Sequence, residues 1–150
     1  MDTAELALIE QALLRIRRSQ GRRTLARAGD HQIEPAQLAV IDAVEQGPDQ
    51  DGQPTTVGLI AQRLGIDPSR ASRTVAATID SGYVARTASQ ADGRSSVLEL
   101  TLAGQAVAAA AHATRQTHYD HLMSDWSPAE RAEFARLLDR FTGALSRAQA

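Results

Sequence analysis

A group of hydrogen-bonding side chains follows an Asp-Pro pair near the middle of the chain. The group consists of Ser69, Arg70, Ser72 and Arg73. Aspartate before proline predicts the start of a helix, because the carboxylate caps free backbone N–H groups and proline fits the first helical position. At ~100° per residue, that helix carries all four side chains on or beside its outer face. Arginine bonds guanine edges or phosphate, and serine bonds either, so this face has the chemistry of a nucleic-acid contact.

A helix-turn-helix unit is predicted to hold this face in place. A short helix over residues 55–64 ends at Gly65, and a second helix over residues 67–82 carries the polar group. Two short helices joined by a three- or four-residue turn that contains glycine are typical of this motif. The side of the second helix that can pack inward consists of Ala71, Val75, Thr78 and Ile79.

A β-hairpin is predicted directly after the second helix. Residues 83–87 and 97–101 are β-prone, and the polar sequence ASQADGRSS separates them. Asp92-Gly93 within that sequence is a favoured hairpin turn pair. A hairpin at this place makes the unit a winged helix-turn-helix, with the wing over residues 88–96.

The chain before this unit is predicted to form two helices. Apolar residues at three- and four-residue spacing predict a first helix from about Thr3 to near Gly29. Glu34-Pro35 opens a second helix, which ends at Gly47-Pro48.

The chain after this unit is predicted to form two further helices. An alanine-rich helix runs from Leu102 to about Trp126, and Ser127 with Glu130 then forms a capping box that starts the last helix. The fold class is mainly α with a small β-hairpin wing, in the order α-α-α-α-β-β-α-α. The expected divisions are residues 1–33 and 102–150 for helical dimerisation regions and residues 34–101 for the DNA-binding domain.

Composition excludes several classes of function. The 150 residues suit one domain, or one domain with an interaction appendage, and the lack of cysteine excludes disulfides, zinc-thiolate sites and cysteine nucleophiles. No apolar run approaches the ~20 residues of a membrane span and no signal peptide is visible, so we expect a cytoplasmic protein without a membrane partner. The sequence has no glycine-rich phosphate loop, G-x-S-x-G or H-E-x-x-H motif, which argues against an enzyme. No cofactor is predicted.

A family resemblance rests on an ordered set of residues in the winged unit. The set comprises TVGLIAQRLGIDPSRASRTV at 56–75, Ile79, Gly82-Tyr83-Val84, Asp92-Gly93-Arg94 and Leu100-Thr101. With these residues, the chain resembles the multiple antibiotic resistance regulator (MarR) family of winged helix-turn-helix transcriptional regulators over nearly its whole length. The resemblance implies a sequence-specific regulator of transcription, expected to be a repressor, that places helix 67–82 in the major groove of double-stranded DNA.

The resemblance also implies roles for the wing and for a bound effector. Arg94 would enter the minor groove while Asp92 supports the wing through salt bridges, and narrow minor grooves attract arginine. A small aromatic or phenolic ligand would bind in a cleft between the dimerisation region and the winged domain and release the DNA. The residues that line that cleft are not identified.

Apolar stripes on the terminal helices predict a homodimer. A helix-turn-helix reads few base pairs, so such proteins usually dimerise on two half-sites of a pseudo-palindromic operator. The candidate dimer residues are Leu6, Ile9, Leu13, Ile16, Phe134, Leu137, Leu138, Phe141 and Leu145. The alternative is a monomer whose helices fold back on the winged domain.

Two other functions stay open at this point. Winged helices also bind proteins, although Ser69, Arg70 and Arg73 favour DNA over an apolar docking surface. His118 and His121 have an i,i+3 spacing that could hold a metal ion. Two histidines on an amphipathic helix are more often surface or interface residues, and no metal site is predicted.

Overall fold

The computed structural model describes residues 2–20, 33–88 and 96–148 of the chain. Within those ranges the predicted order α-α-α-α-β-β-α-α is confirmed. The elements are α1 (Thr3–Gln20), α2 (Pro35–Glu45), α3 (Val57–Leu64), α4 (Pro68–Asp80), β1 (Val84–Ala88), β2 (Ser96–Leu100), α5 (Leu102–Leu122) and α6 (Pro128–Ala148). The predicted end of the first helix near Gly29 lies outside the described residues.

The chain divides into two compact units, Met1–Thr114 and Arg115–Ala150. Their boundary lies inside α5. The domain divisions expected from the sequence stay predictions. No helix in the described part of the chain is long and apolar enough to cross a membrane.

Two apolar clusters form the core of the first unit. One joins α2, α3, α4 and the hairpin, and the other joins the start of α2 to the first half of α5. Full burial of a valine, leucine or isoleucine side chain contributes roughly 1.5–3 kcal/mol. The first cluster consists of Val40, Ala43, Val44, Ile60, Val75, Val84 and Leu98. The second consists of Ile33, Leu38, Ile41, Val107, Ala108 and Ala111.

Helix α3 begins two residues later than predicted. Thr56 is its N-cap, and the Thr56 hydroxyl oxygen accepts a hydrogen bond from the Leu59 backbone N–H at 3.2 Å. Thr55 instead lies beside the hairpin, because its carbonyl oxygen accepts a bond from the Leu98 N–H at 2.8 Å. The prediction of a helix from Thr55 was wrong because one β-type bond to a distant strand outweighs the local helix pattern.

The two strands of the antiparallel hairpin are each displaced by one residue from their predicted positions. Strand β1 begins one residue later than predicted, at Val84, and β2 begins one residue earlier, at Ser96. The register pairs Val84 with Leu100 at one end and Ala88 with Ser96 at the other. Thr101 leaves the strand because its hydroxyl oxygen accepts a bond from the Gly104 N–H, which makes Thr101 the cap of α5.

Helix α5 ends at Leu122, four residues before the predicted end at Trp126. Residues 123–126 turn instead, with the Trp126 N–H donating to the Met123 carbonyl at 3.1 Å. The predicted capping box then starts α6: the Ser127 N–H donates to the Glu130 carboxylate at 2.8 Å, and the Glu130 N–H donates to the Ser127 hydroxyl at 3.3 Å. The bonds from the Ser127 backbone and hydroxyl lower the pKa of Glu130.

Candidate nucleic-acid interface

The turn between α3 and α4 has the geometry of a helix-turn-helix. Gly65 follows α3 with a φ of 61°, in the left-handed region that favours glycine. Its N–H bonds the carbonyls of the last helical turn, as does the Ile66 N–H, which donates to Ala61 at 3.1 Å. A turn of three residues therefore separates α3 from α4, which starts at Pro68.

The start of α4 is fixed by the Asp67-Pro68 pair, as predicted. The Asp67 carboxylate accepts a hydrogen bond from the Arg70 N–H at 2.8 Å, and Pro68 occupies the first helical turn. This cap sets the orientation of the first two turns of α4. The four polar residues of interest lie on those turns.

One face of α4 is buried in the first unit. Ala71, Val75 and Thr78 are buried, and Ile79 is half-buried at the edge of the same face. The Thr78 hydroxyl donates to the Thr74 carbonyl at 2.7 Å, so the buried hydroxyl has a partner. The predicted inward face of the helix is confirmed.

The opposite face of α4 carries the predicted contact residues. Ser69, Arg70, Ser72 and Arg73 are all exposed. Among the described residues, the guanidinium groups of Arg70 and Arg73 have no hydrogen-bond or ion-pair partner. Ala76 and Ala77, one turn further on, are exposed and small, so a partner can approach the helix closely there.

The carboxyl end of α4 is less suited to an anionic partner. Asp80 is on this last turn and would repel phosphate. The first two turns of α4 are therefore the part of the helix that fits nucleic acid.

The hairpin carries one more arginine on its first strand. Arg86 on β1 donates to the Ser96 hydroxyl at 3.3 Å. The last described strand pair, Ala88 with Ser96, borders the segment predicted to form the wing. Asp92 and Arg94, the predicted wing residues, lie outside the described residues.

Two side chains that the sequence did not single out hold α4 and its neighbours. The Gln37 amide on α2 donates to the Ala77 carbonyl at 3.1 Å and to the Ser81 hydroxyl at 2.9 Å, at the end of α4. Arg63 on α3 donates to the carbonyls of Ala43 at 2.7 Å and Pro48 at 3.2 Å, near and after the end of α2. No local spacing in the sequence signals these contacts, because each joins residues distant along the chain.

The histidines do not assemble a metal site in the described part of the chain. There, no group of three or more histidine, cysteine, aspartate or glutamate residues could hold an ion. The His118 ring lies 5.9 Å from that of Tyr119, centre to centre. His112 Nε2 lies 2.7 Å from a Glu45 carboxylate oxygen and joins α5 to the end of α2.

A cavity of about 510 Å³ opens beside the end of α2. Val44 and Leu98 give it an apolar wall, and Glu45, Glu99 and Gln105 add polar groups. Its volume is in the range of small-molecule sites.

The predicted dimer residues all lie on exposed or half-buried faces. Leu6, Ile9, Leu13 and Ile16 of α1 have 40–48% of their surface exposed. In α6, Phe134, Leu137, Leu138 and Leu145 have 43–46% exposed, and Phe141 is half-buried. None of the residues of α6, all of which are described, is buried.

A helix-turn-helix followed by an antiparallel hairpin, with an exposed arginine- and serine-bearing second helix, defines the winged helix-turn-helix class of DNA-binding proteins. A comparison with family models matches residues 31–95 to the MarR family. No curated protein matches the chain.

Solved structures share this fold over almost the whole chain. A MarR family protein from Bacillus stearothermophilus has a TM-score of 0.77 and 20% identity, with 97% of this chain and 99% of that chain covered. The transcriptional regulator BldR from Sulfolobus solfataricus has a TM-score of 0.68 and 20% identity, with 98% and 99% covered. MepR from S. aureus, solved with ethidium bromide bound, has a TM-score of 0.61 and 18% identity, with 90% and 95% covered.

Residues 31–95 thus match the MarR family of DNA-binding transcriptional regulators, and the chain has the fold of solved MarR family structures. Proteins of this family regulate transcription and are not enzymes. The resemblance stated from the residues of the winged unit is thereby confirmed.

Proposed function

We propose that this regulator is a homodimeric repressor that reads a pseudo-palindromic operator with α4 in the major groove. The observation that carries the proposal is a pair of exposed guanidinium groups on α4 without a partner among the described residues, held over a buried face by the Asp67 cap. Arg73 lies on the outermost part of the helix and is the proposed base contact, with Arg70, Ser69 and Ser72 beside it. Arginine bonds guanine O6 and N7 together, which gives sequence selectivity as well as affinity.

The wing is proposed as a second contact. Arg94 would enter the minor groove next to the major-groove site, and Asp92 would support the wing. Minor-groove insertion reads groove width, because narrow grooves have a stronger negative potential. The short strands that lead to this tip support the proposal.

The exposed apolar faces of α1 and α6 support the dimer. Monomeric proteins rarely expose large contiguous apolar surfaces, and these two helices expose eight of the nine predicted dimer residues. The second copy of the chain is the proposed partner of both faces. A dimer would present two copies of α4 to half-sites about one helical turn apart.

Release by a small aromatic or phenolic ligand completes the proposal. MepR, which shares the fold, is solved with the aromatic compound ethidium bromide. The cavity beside Glu45 and Leu98 is a candidate place for such a ligand, because its volume suits one. A ligand that binds the DNA-free form more tightly lowers operator affinity by that difference in binding free energy.

Fluorescence anisotropy tests the DNA contact. The probes are a duplex from upstream of the chain's own gene and an unrelated duplex at the same salt concentration. Arg73→Ala is expected to weaken binding to the preferred duplex by ~1–3 kcal/mol, as for a lost bidentate base contact. Arg73→Lys keeps the positive charge but loses the planar guanidinium that forms two hydrogen bonds to guanine. It is therefore expected to lose selectivity between the two duplexes while its binding keeps the same salt dependence.

The matched control is Arg140→Ala, which removes an exposed arginine from α6 instead of α4. It is expected to bind both duplexes like the parent. Equal, weak binding of the parent to both duplexes, or unchanged binding by Arg73→Ala, would contradict the proposed contact. Equal binding would favour a protein partner for the winged unit.

A further inference from the structure

The start of α5 is bonded directly to the turn that follows α4. The Thr101 N–H donates to the Tyr83 carbonyl at 3.1 Å, and the Thr101 hydroxyl donates to the Gly82 carbonyl at 2.6 Å. The same hydroxyl accepts from the Gly104 N–H at 3.0 Å and so caps α5. One threonine side chain therefore binds both the turn and the first helical turn of α5.

Gly104 lets the two backbones come this close. It is buried, and a Cβ atom added there would overlap the Tyr83 carbonyl oxygen and lie 3.0 Å from its carbonyl carbon. It would also lie 3.4 Å from a Leu100 methyl carbon. The obstacle is backbone already bonded to Thr101, so it cannot rotate aside as a flexible side chain would.

The turn at residues 81–83 is in effect an extension of α4. The Tyr83 N–H donates to the Thr78 carbonyl at 3.2 Å, and the Ser81 N–H donates to Ala77 at 3.0 Å. Gln37 bonds the same end of α4 through the Ala77 carbonyl and the Ser81 hydroxyl. A chain of hydrogen bonds thus runs without a break from the last turn of α4 to the first turn of α5.

The joint between α4 and α5, which consists of residues 81–83, Thr101 and Gly104, is also packed. The angle between the two helices is therefore fixed. The Tyr83 side chain packs against the cluster that contains Val107, Ala108 and Ala111 of α5. Helix α5 continues as one element to Leu122, a length of ~30 Å at 1.5 Å per residue. A change of about 10° at its first turn would therefore move Thr114, about 20 Å along the helix at the end of the first unit, by roughly 3 Å.

We propose that Thr101 and Gly104 set the half-site spacing that the dimer reads, by fixing the angle between α4 and α5. They are positioning residues that touch no DNA themselves. The proposal rests on the proposed dimer, because only with two copies of α4 does the angle of α5 become a distance along the duplex. The proposal explains why the dimer would prefer operators with one particular number of base pairs between the half-sites.

The test is a spacing series with Gly104→Ala. Duplexes that bind the parent protein are selected from a random library, and their half-sites are then moved one or two base pairs closer or further apart. Gly104→Ala is expected to lose at least tenfold in affinity at the parent's best spacing and to prefer a spacing shifted by at least one base pair. Its affinity for a duplex with one half-site is expected to stay within twofold of the parent.

Matched variants separate the joint from general damage. Gly58→Ala also places alanine in a helix of the winged unit, but its Cβ meets only the Thr56 hydroxyl oxygen at 3.7 Å. It is expected to keep the parent's spacing preference. Thr101→Ser retains the hydroxyl and is expected to behave like the parent, whereas Thr101→Val loses it and is expected to shift or flatten the preference. Thr101→Val thus tests the joint even if Gly104→Ala fails to fold.

Three results would overturn the inference. They are an unchanged spacing optimum in both Gly104→Ala and Thr101→Val, an equal loss at every spacing and on the single half-site, and a shift of the same size in Gly58→Ala. Failure of the proposed function looks different, since the parent would then be a monomer or would prefer no duplex. If the parent binds as a dimer with a clear spacing optimum, and Gly104→Ala and Thr101→Val have the same optimum, the proposed role of Thr101 and Gly104 is refuted. The proposed function is then unaffected.

Discussion

Helices α4 and α6 are both amphipathic, but among the described residues only α4 has its apolar side buried. Ala71 and Val75 of α4 have no exposed surface, whereas Leu137 and Leu138 of α6 have 46% and 43% exposed. Helix α4 is held from inside and offers its polar side to a partner. Helix α6 offers its apolar side. The contrast supports the two proposed recognition surfaces, one for an anion-rich partner and one for apolar contact with another copy of the chain.

The largest expected effect is on the apolar surface of α6. Leu138→Asp should break the proposed dimer, because each subunit loses a leucine contact of roughly 1.5–3 kcal/mol and the dimer contains two copies. The total of ~3–6 kcal/mol raises the dissociation constant by roughly 10²–10⁴-fold. Sedimentation velocity across a concentration series measures it.

Arg140→Asp is the control for that experiment, since it adds the same carboxylate to α6 about 120° away from the apolar stripe. It is expected to leave the dimer intact. A dimer that survives Leu138→Asp would show that α6 is not its interface.

The next effect compares buried and exposed isoleucine. Ile41 has no exposed surface and Ile9 has 47% exposed. Ile41→Ala should lower the free energy of unfolding by ~2–5 kcal/mol, since it leaves a cavity in the core. Ile9→Ala should instead raise the dissociation constant of the dimer and leave the helix content unchanged.

Urea denaturation and sedimentation on both variants separate the two outcomes. Ile9→Ala could lower the free energy of unfolding as much as Ile41→Ala without weakening dimer association. That result would contradict the assignment of Ile9 to an interface and not to the core.

A smaller effect is expected at the start of α6. Ser127→Ala removes the hydroxyl that accepts from the Glu130 N–H, and loss of such a cap costs ~1 kcal/mol. Thermal denaturation by circular dichroism measures the change. Ser127→Asp, which retains a capping oxygen, is the control and should remain close to the parent. Equal losses in both variants would contradict a capping role.

The smallest effect is a pH dependence of the same cap. The pKa of Glu130 is lowered by hydrogen bonds from the Ser127 backbone and hydroxyl. Its stabilising contribution is therefore present above the ordinary glutamate pKa and is lost as the pH falls through the lowered value. Glu130→Gln should lower the melting temperature at pH 7 and have little effect at pH 3.

The Ser127→Ala background is the control for this pH experiment, because the hydroxyl bond to Glu130 is already missing there. In that background, Glu130→Gln should change the melting temperature at pH 7 by less than it does in the parent. An effect of Glu130→Gln that grows on acidification would reverse the expected sign.

Local signals in the sequence were sufficient for most of the fold. Asp67-Pro68 and Ser127-Pro128 start helices through their own caps, and Gly65 ends one through its backbone conformation. Each of these signals involves residues within about four positions, so it can be identified without tertiary contacts. The exposed face of α4 follows from the same helical periodicity.

Long-range contacts could not be predicted from the sequence. The Thr55 carbonyl bonds a strand more than forty residues later, and Gly104 faces a carbonyl twenty-one residues earlier. Nothing in the local pattern around either residue specifies those partners. The sequence therefore predicts which side chains face outward on α4, while the angle at which α4 meets α5 depends on contacts seen only in the folded chain.

The bond from Leu98 to Thr55 also bears on aggregation. An uncovered strand edge can recruit strands from other molecules, and short, covered edges suppress this. The strand β2 has five residues, and its central N–H on the side away from β1 already donates to the buried Thr55. The outer edge of β2 therefore does not offer neighbouring copies an unbroken row of free donors for sheet growth.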